Sequence, residues 1–305
     1  MKSYALAALT AGAVLALAGC ARSNSTPEAA GTPAKSAGGK RYPLHGEIVS
    51  VDAARHVLVV KHEAIPDYMP GMTMEFAVSA GDAAVAKPGQ HIRAQMIPSD
   101  TSDFRLEQIW PDDKVATDTV AAVANALRQD THNRGKEAYR EIGETIPDFA
   151  LYDQDGRVVR SSRFRGKQIM LNFIYTRCPV ATMCPASTAK MMKAQKMARE
   201  AGVKNLELVS ISFEPEFDTP GVLKEYATVR GIDTSNFSFL TGPENAIRDL
   251  LTQFGIIAEF KDGVWQHTLS TLLIDENGKI IHRADGSTWE PGPFVAKMKR
   301  DVAGS

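Results

Sequence analysis

The sequence predicts two folded domains, a small all-β barrel followed by an α/β domain. Residues 42–113 contain short apolar stretches of strand length separated by turn residues, with no helical pattern. Residues 143–303 instead alternate strand-like apolar runs with stretches of helical spacing. The 305 residues and the formal net charge of -1 suit one large or two modest domains. The near-neutral charge balance gives no support for nucleic-acid binding.

The chain begins with the pattern of an export signal. Residues 1–19 contain a lone Lys2 and a short apolar run rich in small residues, which predicts a signal peptide and not a membrane span. The run ends in Leu-Ala-Gly before Cys20, which resembles a bacterial lipobox. The resemblance implies that Cys20 is acylated and anchors the protein in the cell envelope. The protein would face the periplasm, on the outer membrane in a Gram-negative cell, or the extracytoplasmic surface otherwise.

Two connecting segments flank the predicted barrel. Residues 20–41 are rich in Ser, Thr, Pro, Ala and Gly, and they are predicted to be a flexible tether between the lipid and the first domain. Residues 114–142 are Ala-rich and charged, with apolar residues at helical spacing, and they are predicted to be a helical linker. The chain would thus place two domains in series behind a lipidated tether.

The first domain is predicted to be an OB-like barrel of about five strands. Its turns are indicated by polar and Pro-Gly clusters at residues 52–55, 87–89 and 99–103. The predicted strands are Leu44–Val51, Val57–Lys61, Thr73–Val78, His91–Ile97 and Arg105–Trp110.

This barrel carries a set of soft metal ligands. Met72 and Met74 alternate along one predicted strand and therefore share a face, while Met69 lies just across a Pro-Gly bend and His62 precedes it. Thioether sulfur with one imidazole suits Cu(I) and suits hard ions poorly. The alternative is that the methionines only fill the barrel core.

The segment that holds these residues resembles the CusF-type periplasmic copper-binding domain, whose His…Trp-x-x-Met-x-Met set binds Cu(I) beneath a stacked Trp. The resemblance implies copper binding by His62, Met72 and Met74. Met69 stands where the family has the Trp. The site would then gain a third sulfur from Met69 and an aromatic face from Tyr68.

Two cysteines, Cys178 and Cys184, lie between an apolar strand predicted at residues 168–175 and a helix predicted at 186–201. A fully helical path between them would separate the side chains by about 9 Å along the axis, so a loop is predicted. Pro185 suits the first helical position, which makes Cys184 the predicted N-cap with a lowered thiol pKa. The pair could form a disulfide, exchange one or chelate a soft metal. A purely structural disulfide is the alternative.

The order of elements after residue 143, a hairpin, a βαβ unit and a ββα unit, matches a thioredoxin-like fold. In that fold the loop before the strand predicted at Thr271–Asp275 lies beside the cysteine turn, and this loop contains His267. Two thiolates and an imidazole would form a set well suited to Cu(I). Thioredoxin-type oxidoreductases place a cis-proline in this loop, whereas residues 264–275 contain no Pro. The sequence therefore disfavours a general oxidoreductase.

Residues 143–303 resemble the Sco/SenC family of copper chaperones for respiratory oxidases. The residues that carry the resemblance are Ile146-Pro147-Asp148-Phe149, Phe173–Pro185, Glu214-Pro215, Asp218-Thr219-Pro220, Phe254-Gly255, His267 and Leu273-Ile274-Asp275. The resemblance implies that Cys178, Cys184 and His267 bind copper for delivery to a cytochrome c oxidase subunit. The family acts on that oxidase by copper transfer, by reduction of its thiols, or by both. A disulfide is the default in an oxidising compartment, so we expect a thiol reductant as a second partner. Five residues lie between the cysteines instead of three, and Gln266 replaces the Asp common before the family's His, so we expect a preference for Cu(I).

Three functions fit the sequence. In the first, the barrel captures Cu(I) and the second domain delivers it as a chaperone. In the second, Cys178 and Cys184 form the redox-active pair of a thiol-disulfide oxidoreductase or thiol peroxidase. In the third, the protein only sequesters copper for tolerance. The sequence ranks them in this order.

Overall fold

The computed structural model describes residues 40–98, 104–135, 139–261 and 264–298. The predicted lipidation site Cys20, the signal peptide at 1–19 and nearly all of the predicted tether lie outside these residues. Among the helices of the described part, none has both the length and the apolar character needed to cross a membrane.

The first domain is a closed barrel of five strands, as predicted. The strands are β1 (Tyr42–Asp52), β2 (Val57–His62), β3 (Met72–Ala77), β4 (His91–Ile97) and β5 (Arg105–Pro111). The ring order is β1-β2-β3-β5-β4, and only β3 and β5 pair in parallel. Alternate side chains of these strands, among them Leu58, Val60 and Phe76, point inward and are fully buried. This alternation explains why the strands were predictable from the sequence.

A short helix, α1 (Ala80–Val85), follows β3, so the prediction of a first domain without helices is wrong. The side-chain oxygen of Ser79 accepts a 3.0 Å hydrogen bond from the backbone N–H of Asp82 and caps the helix. Six residues give less than two turns, which is too short for a periodic apolar pattern.

The second domain is built on a seven-stranded sheet with the order β14-β13-β8-β9-β10-β6-β7. Its strands are β6 (Ala150–Asp153), β7 (Val158–Arg160), β8 (Gln168–Ile174), β9 (Leu206–Ser212), β10 (Phe237–Thr241), β13 (Ser270–Ile274) and β14 (Ile280–Asp285). Two more strands, β11 (Ala258–Lys261) and β12 (Val264–His267), form a separate hairpin. The helices are α2 (Lys114–Arg134), α3 (Cys184–Glu200), α4 (Pro220–Val229), α5 (Glu244–Phe254) and α6 (Pro291–Lys297).

The middle of this sheet is fully buried. Every residue of β8, β9, β10 and β13 is buried, and β8, β9 and β10 run parallel. Strands covered on both faces consist of nearly continuous apolar runs, which is why β8 and β9 were recognisable in the sequence. Strand β10 and the β11–β12 hairpin were not predicted, and the hairpin proves to carry His267.

Helix α2 occupies the start of the predicted linker but packs within the second domain. Its Ala124 and Leu127 belong to the same apolar core as the central sheet. Gln253 of α5 donates hydrogen bonds to Asp130 at 2.7 Å and to Thr131 at 3.0 Å. The helix was predicted correctly, and the structure adds that its inner face is part of the domain.

The two domains touch through α1 and α4. A Cβ atom added to Gly81 would lie 2.0 Å from the carbonyl oxygen of Gly221, so the two backbones meet where only glycine fits. The side chain of Gln108 on β5 donates a 2.7 Å hydrogen bond to the carbonyl of Glu216 in the second domain. Asp82 is buried at this junction, and burial raises the pKa of its carboxyl to about 6.

Candidate metal centres

The barrel brings His62, Met72 and Met74 to one end of the β2–β3 pair. His62 lies directly opposite Met72 in the antiparallel register, and Met74 lies opposite Val60. Side chains two residues apart on a strand share a face, and directly opposite residues share one too. All three predicted ligands therefore lie on the inner face of the barrel.

His62 has one nitrogen free to bind a metal. The side chain is 3% exposed, and its Nδ1 lies 2.6 Å from the carbonyl oxygen of Glu63. Because a carbonyl only accepts, Nδ1 carries the proton and Nε2 carries the lone pair. Nε2 is buried without a hydrogen-bond partner. Burying an unpaired polar atom costs free energy, whereas a bound metal would satisfy it, so this residue fits a copper site.

The methionines differ in exposure. Met72 is 47% exposed, while Met69 and Met74 are half-buried and pack against the barrel core. The backbone of Met69 is fixed by hydrogen bonds with Ile65, and the ring of the neighbouring Tyr68 stacks at 4.1 Å on Tyr42. Core packing thus accounts for part of the burial of Met69 and Met74, but it gives no reason for the exposed Met72.

In the second domain, the loop after β8 and the start of α3 hold the two cysteines. Residues 175–183 are loop, as predicted, and both thiols are free. The N-cap of α3 is Met183, so Cys184 is already the first helical residue and the predicted N-cap is wrong by one position. Cys184 is fully buried, whereas Cys178 is partly exposed. Cys178 is therefore the thiol that solvent or a partner meets first.

His267 ends β12 beside these thiols. Its Nε2 lies 3.8 Å from the Sγ of Cys184, and the ligand atoms of Cys178, Cys184 and His267 all lie within 4.8 Å of one another. With metal bonds of about 2.0–2.3 Å, as zinc has to imidazole and thiolate, the ligand atoms of a trigonal site are roughly 3.5–4 Å apart. The three predicted ligands thus fit one small soft metal ion.

Neighbouring groups orient the imidazole of His267. Its Nδ1 lies 3.1 Å from the carbonyl of Thr268, which leaves the lone pair on Nε2, facing the thiols. The ring also packs against Phe213 at 4.7 Å and stands perpendicular to the ring of Tyr175 at 5.6 Å. A histidine held in this tautomer is arranged as a metal ligand.

One proton is shared unequally between the two thiols. The hydrogen bond from the thiol of Cys184 holds the pKa of Cys178 far below its usual range. The hydrogen bond to Cys178 and burial raise the pKa of Cys184. The prediction that Cys184 has the lowered pKa is therefore wrong. Burial and the neighbouring thiolate outweigh the helix N-terminus at this position.

Two buried acids complete the surroundings of the site, and neither was predicted to have a role of its own. Asp218 accepts hydrogen bonds from the backbone N–H and hydroxyl of Thr176 and from the hydroxyl of Ser212, and burial raises its pKa to about 6. Glu214 is 4% exposed and pairs with Arg177. Both lie in segments already singled out as family marks, but only the fold shows that they are buried beside the cysteine loop.

The family model described as SCO1/SenC matches residues 137–303, which is more than half of the chain. The chain belongs to the SCO1/SenC family. A second model, described as copper binding periplasmic protein CusF, matches residues 41–111. This Sco protein therefore carries an N-terminal CusF-like domain before its thioredoxin-like domain.

Individual Sco proteins are similar over the second domain. The SCO1 protein homolog of Bacillus subtilis is 29% identical over 156 residues, which cover 50% of this chain and 79% of that protein. A SCO1/SenC family lipoprotein from Bacillus anthracis is 30% identical, with 52% of this chain and 96% of that chain covered and a TM-score of 0.48. BsSco, described as a member of the Sco family of cytochrome c oxidase assembly proteins, is 26% identical, with 52% and 93% covered and a TM-score of 0.46.

Proposed function

We propose that this Sco protein is an exported copper chaperone that delivers Cu(I) to the copper centre of a respiratory cytochrome c oxidase. The observation that carries the proposal is the convergence of Cys178, Cys184 and His267, whose ligand atoms lie within 4.8 Å of one another. Two thiolates and one imidazole form a soft ligand set that suits Cu(I). Membership of the SCO1/SenC family supports the choice of acceptor.

Copper binding in the second domain begins at Cys178. This thiol is partly exposed and its lowered pKa makes it the thiolate of the pair, so it meets the incoming ion first. Cys184 then loses its proton as its sulfur binds the ion, and Nε2 of His267 completes a three-coordinate site. Release is the reverse: thiolates of the acceptor replace these ligands one at a time at the exposed Cys178 side.

The barrel supplies the second soft site. His62, Met69, Met72 and Met74 would bind Cu(I) without thiolates, and the orphaned Nε2 of His62 supports this assignment. Thioether sites do not depend on the redox state of cysteines. The barrel would therefore hold Cu(I) under oxidising conditions and pass it on when the thiols of the second domain are reduced.

The proposed function also involves a reductant and a lipid anchor. In an oxidising compartment Cys178 and Cys184 form a disulfide, so copper loading requires a dithiol reductant that supplies two electrons and two protons. We also propose the lipid anchor at Cys20, which would keep the chaperone at the membrane surface facing the periplasm.

A transfer assay tests delivery. The reduced protein, loaded with Cu(I), is mixed with the purified copper-free domain of an oxidase subunit, and the two are separated before copper is measured in each. Delivery predicts that copper leaves the chaperone and that Cys178→Ser and Cys184→Ser variants transfer none from the second domain. Copper that stays bound while the acceptor remains empty would favour sequestration instead.

The thiol pair also supports a second candidate, a thiol-disulfide oxidoreductase. An accessible low-pKa Cys178 with a buried Cys184 behind it is the arrangement of an attacking and a resolving thiol. Such an activity does not need the imidazole of His267 as a metal ligand. A copper-independent exchange rate that is unchanged in His267→Ala would favour this function over the chaperone.

A further inference from the structure

The two halves of the second metal centre lie in segments that adjoin two paired strands of the main sheet. Cys178 lies in the loop after β8, His267 ends the β11–β12 hairpin just before β13, and β13 pairs with β8. The sequence separation between Cys184 and His267 is 83 residues. Beyond this strand pairing, side-chain contacts set how the loop and the hairpin face each other.

Glu214 makes such a contact with each of the two segments. Its carboxylate accepts hydrogen bonds from Nε of Arg177 at 2.8 Å and from Nη2 at 2.5 Å, one on each oxygen. The same carboxylate accepts a 2.8 Å hydrogen bond from the indole N–H of Trp265. Arg177 immediately precedes Cys178, and Trp265 lies two residues before His267. One buried side chain thus binds both ligand-bearing segments.

The geometry of these hydrogen bonds restrains the groups that Glu214 contacts. A guanidinium bound through two parallel hydrogen bonds is fixed in orientation as well as distance. Glu214 itself is 4% exposed, and its backbone N–H donates to the hydroxyl of Ser212 at 3.1 Å, so the backbone that carries the carboxylate is held in place. Arg177 also lies over the ring of Phe217, with 4.5 Å between the guanidinium carbon and the ring centre.

We propose that Glu214 is the positioning residue that holds the cysteine loop and the histidine hairpin at the separation needed for one copper ion. The proposal rests on the proposed copper function of Cys178, Cys184 and His267. Glu214 is not one of the residues whose ligand atoms cluster within 4.8 Å, and both of its oxygens accept hydrogen bonds from Arg177 and Trp265. It acts one contact behind the ligands, where loss of a supporting hydrogen bond weakens metal binding.

Two variants of the full chain separate the contact of Glu214 with the cysteine loop from its contact with the histidine hairpin, and a third variant serves as the control. Glu214→Gln keeps the shape but puts an N–H₂ group where the guanidinium needs an acceptor, so it releases the loop and loosens the hairpin. Trp265→Phe removes the indole N–H together with part of the ring system and keeps a phenyl ring near Phe213, so it releases the hairpin and leaves the bonds to Arg177 intact. Glu207→Gln is the matched control. Glu207 lies at the other end of β9, is 6% exposed, and pairs with Lys167 and Arg163.

Two readouts distinguish this proposal from the proposed function. The first is Cu(I) binding by the reduced protein, measured by competition with a chromophoric chelator and by X-ray absorption, which counts nitrogen and sulfur ligands. We expect Glu214→Gln to bind copper about tenfold or more weakly and to lose the nitrogen ligand, and Trp265→Phe to lose the nitrogen while keeping both sulfurs. Glu207→Gln should keep the wild-type affinity and ligand count even if its melting temperature falls.

The second readout is amide hydrogen exchange of the copper-free protein. Glu214→Gln should speed exchange in β11–β12 and in residues 175–183, and Glu207→Gln should not. Wild-type copper binding and wild-type exchange in Glu214→Gln would overturn the proposal, and so would equal losses in Glu207→Gln. If wild-type protein binds no copper through its thiols while Glu214→Gln still loosens both segments, the proposed function fails and the positioning role stands.

Discussion

The two candidate metal centres are assembled in opposite ways. The barrel site is local, because His62 and Met72 face each other across one antiparallel pair of neighbouring strands. The second site is assembled across the domain, from a loop, a helix start and a separate hairpin. A local site needs only its hairpin to form, whereas the second needs the whole domain and the bonds of Glu214. The ligands of the local site could be grouped from strand alternation alone, whereas grouping those of the second site required a fold to be inferred first.

The difference extends to chemistry. The barrel site has no thiol, so its affinity for Cu(I) should not depend on redox state. The second site depends on two thiols that share a proton and close to a disulfide when oxidised. The comparison predicts one redox-independent and one redox-dependent copper in a single chain.

The largest expected effect is the loss of one copper on removal of the thiols. Cys178→Ser with Cys184→Ser leaves one imidazole in the second site, which is too few soft ligands to hold Cu(I). We expect the stoichiometry of the reduced protein to fall from two coppers to one, measured by anaerobic titration. A value that stays at two would show that the thiols are not ligands.

A partial loss of copper affinity should follow from a change at the exposed methionine of the barrel. Met72→Ser removes one sulfur from a side chain that is 47% exposed, so it should weaken the barrel copper about tenfold, or about 1.4 kcal/mol, without unfolding the domain. Val49→Ser is the matched control, because Val49 is 49% exposed in the same barrel. Equal copper affinity in both variants would mean that Met72 is not a ligand.

A pH dependence tests the buried acid at the junction of the two regions. The folded-state pKa of Asp82 is raised from 3.8 to about 6, so the folded protein binds this proton more tightly than the unfolded chain does. The free energy of unfolding should therefore decrease as pH rises from about 4 to about 6, by at most about 3 kcal/mol from this group. Asp82→Asn should remove that part of the slope in urea unfolding curves. Asp218 titrates in the same range, but it is present in both proteins, so its contribution to the slope cancels in the comparison. An unchanged slope in Asp82→Asn would therefore contradict the assignment to Asp82.

A smaller effect should follow from Gly81→Ala. The added methyl group would lie 2.0 Å from the carbonyl of Gly221, so the domains must shift apart, at a cost of about 2 kcal/mol. Gly292→Ala is the control, since nothing lies within 4 Å of that position. We expect a lower urea midpoint only for Gly81→Ala, with two coppers still bound. A loss of copper in this variant would mean that a binding site depends on domain contact.

Much of the fold could be predicted from the sequence. The five barrel strands and the strands β8 and β9 were recognisable because apolar alternation and continuous apolar runs are local signals. Helix α2 was predicted from its spacing, but its packing on α5 was not, since that contact joins residues far apart in the chain. The short α1 and the β11–β12 hairpin carry too few residues for a clear period.

For the candidate sites too, local features were predictable and features set by distant contacts were not. The ligand types were predicted, and the structure brings Cys178, Cys184 and His267 together. The proton distribution between the thiols was predicted in the wrong direction, because the burial of Cys184 is set by the packed domain and not by its position at a helix start. Glu214 was unassigned for the same reason, since two of its partners lie in other segments.

The Cu(I) stoichiometry of the full chain tests whether the protein has two copper sites, when it is titrated anaerobically against a colorimetric chelator with the thiols first reduced and then oxidised. A Cys20→Ser background leaves Cys178 and Cys184 as the only cysteines. We expect two coppers in the reduced protein and one after oxidation. A single copper that is unaffected by thiol oxidation would contradict it and leave the barrel as the only copper site.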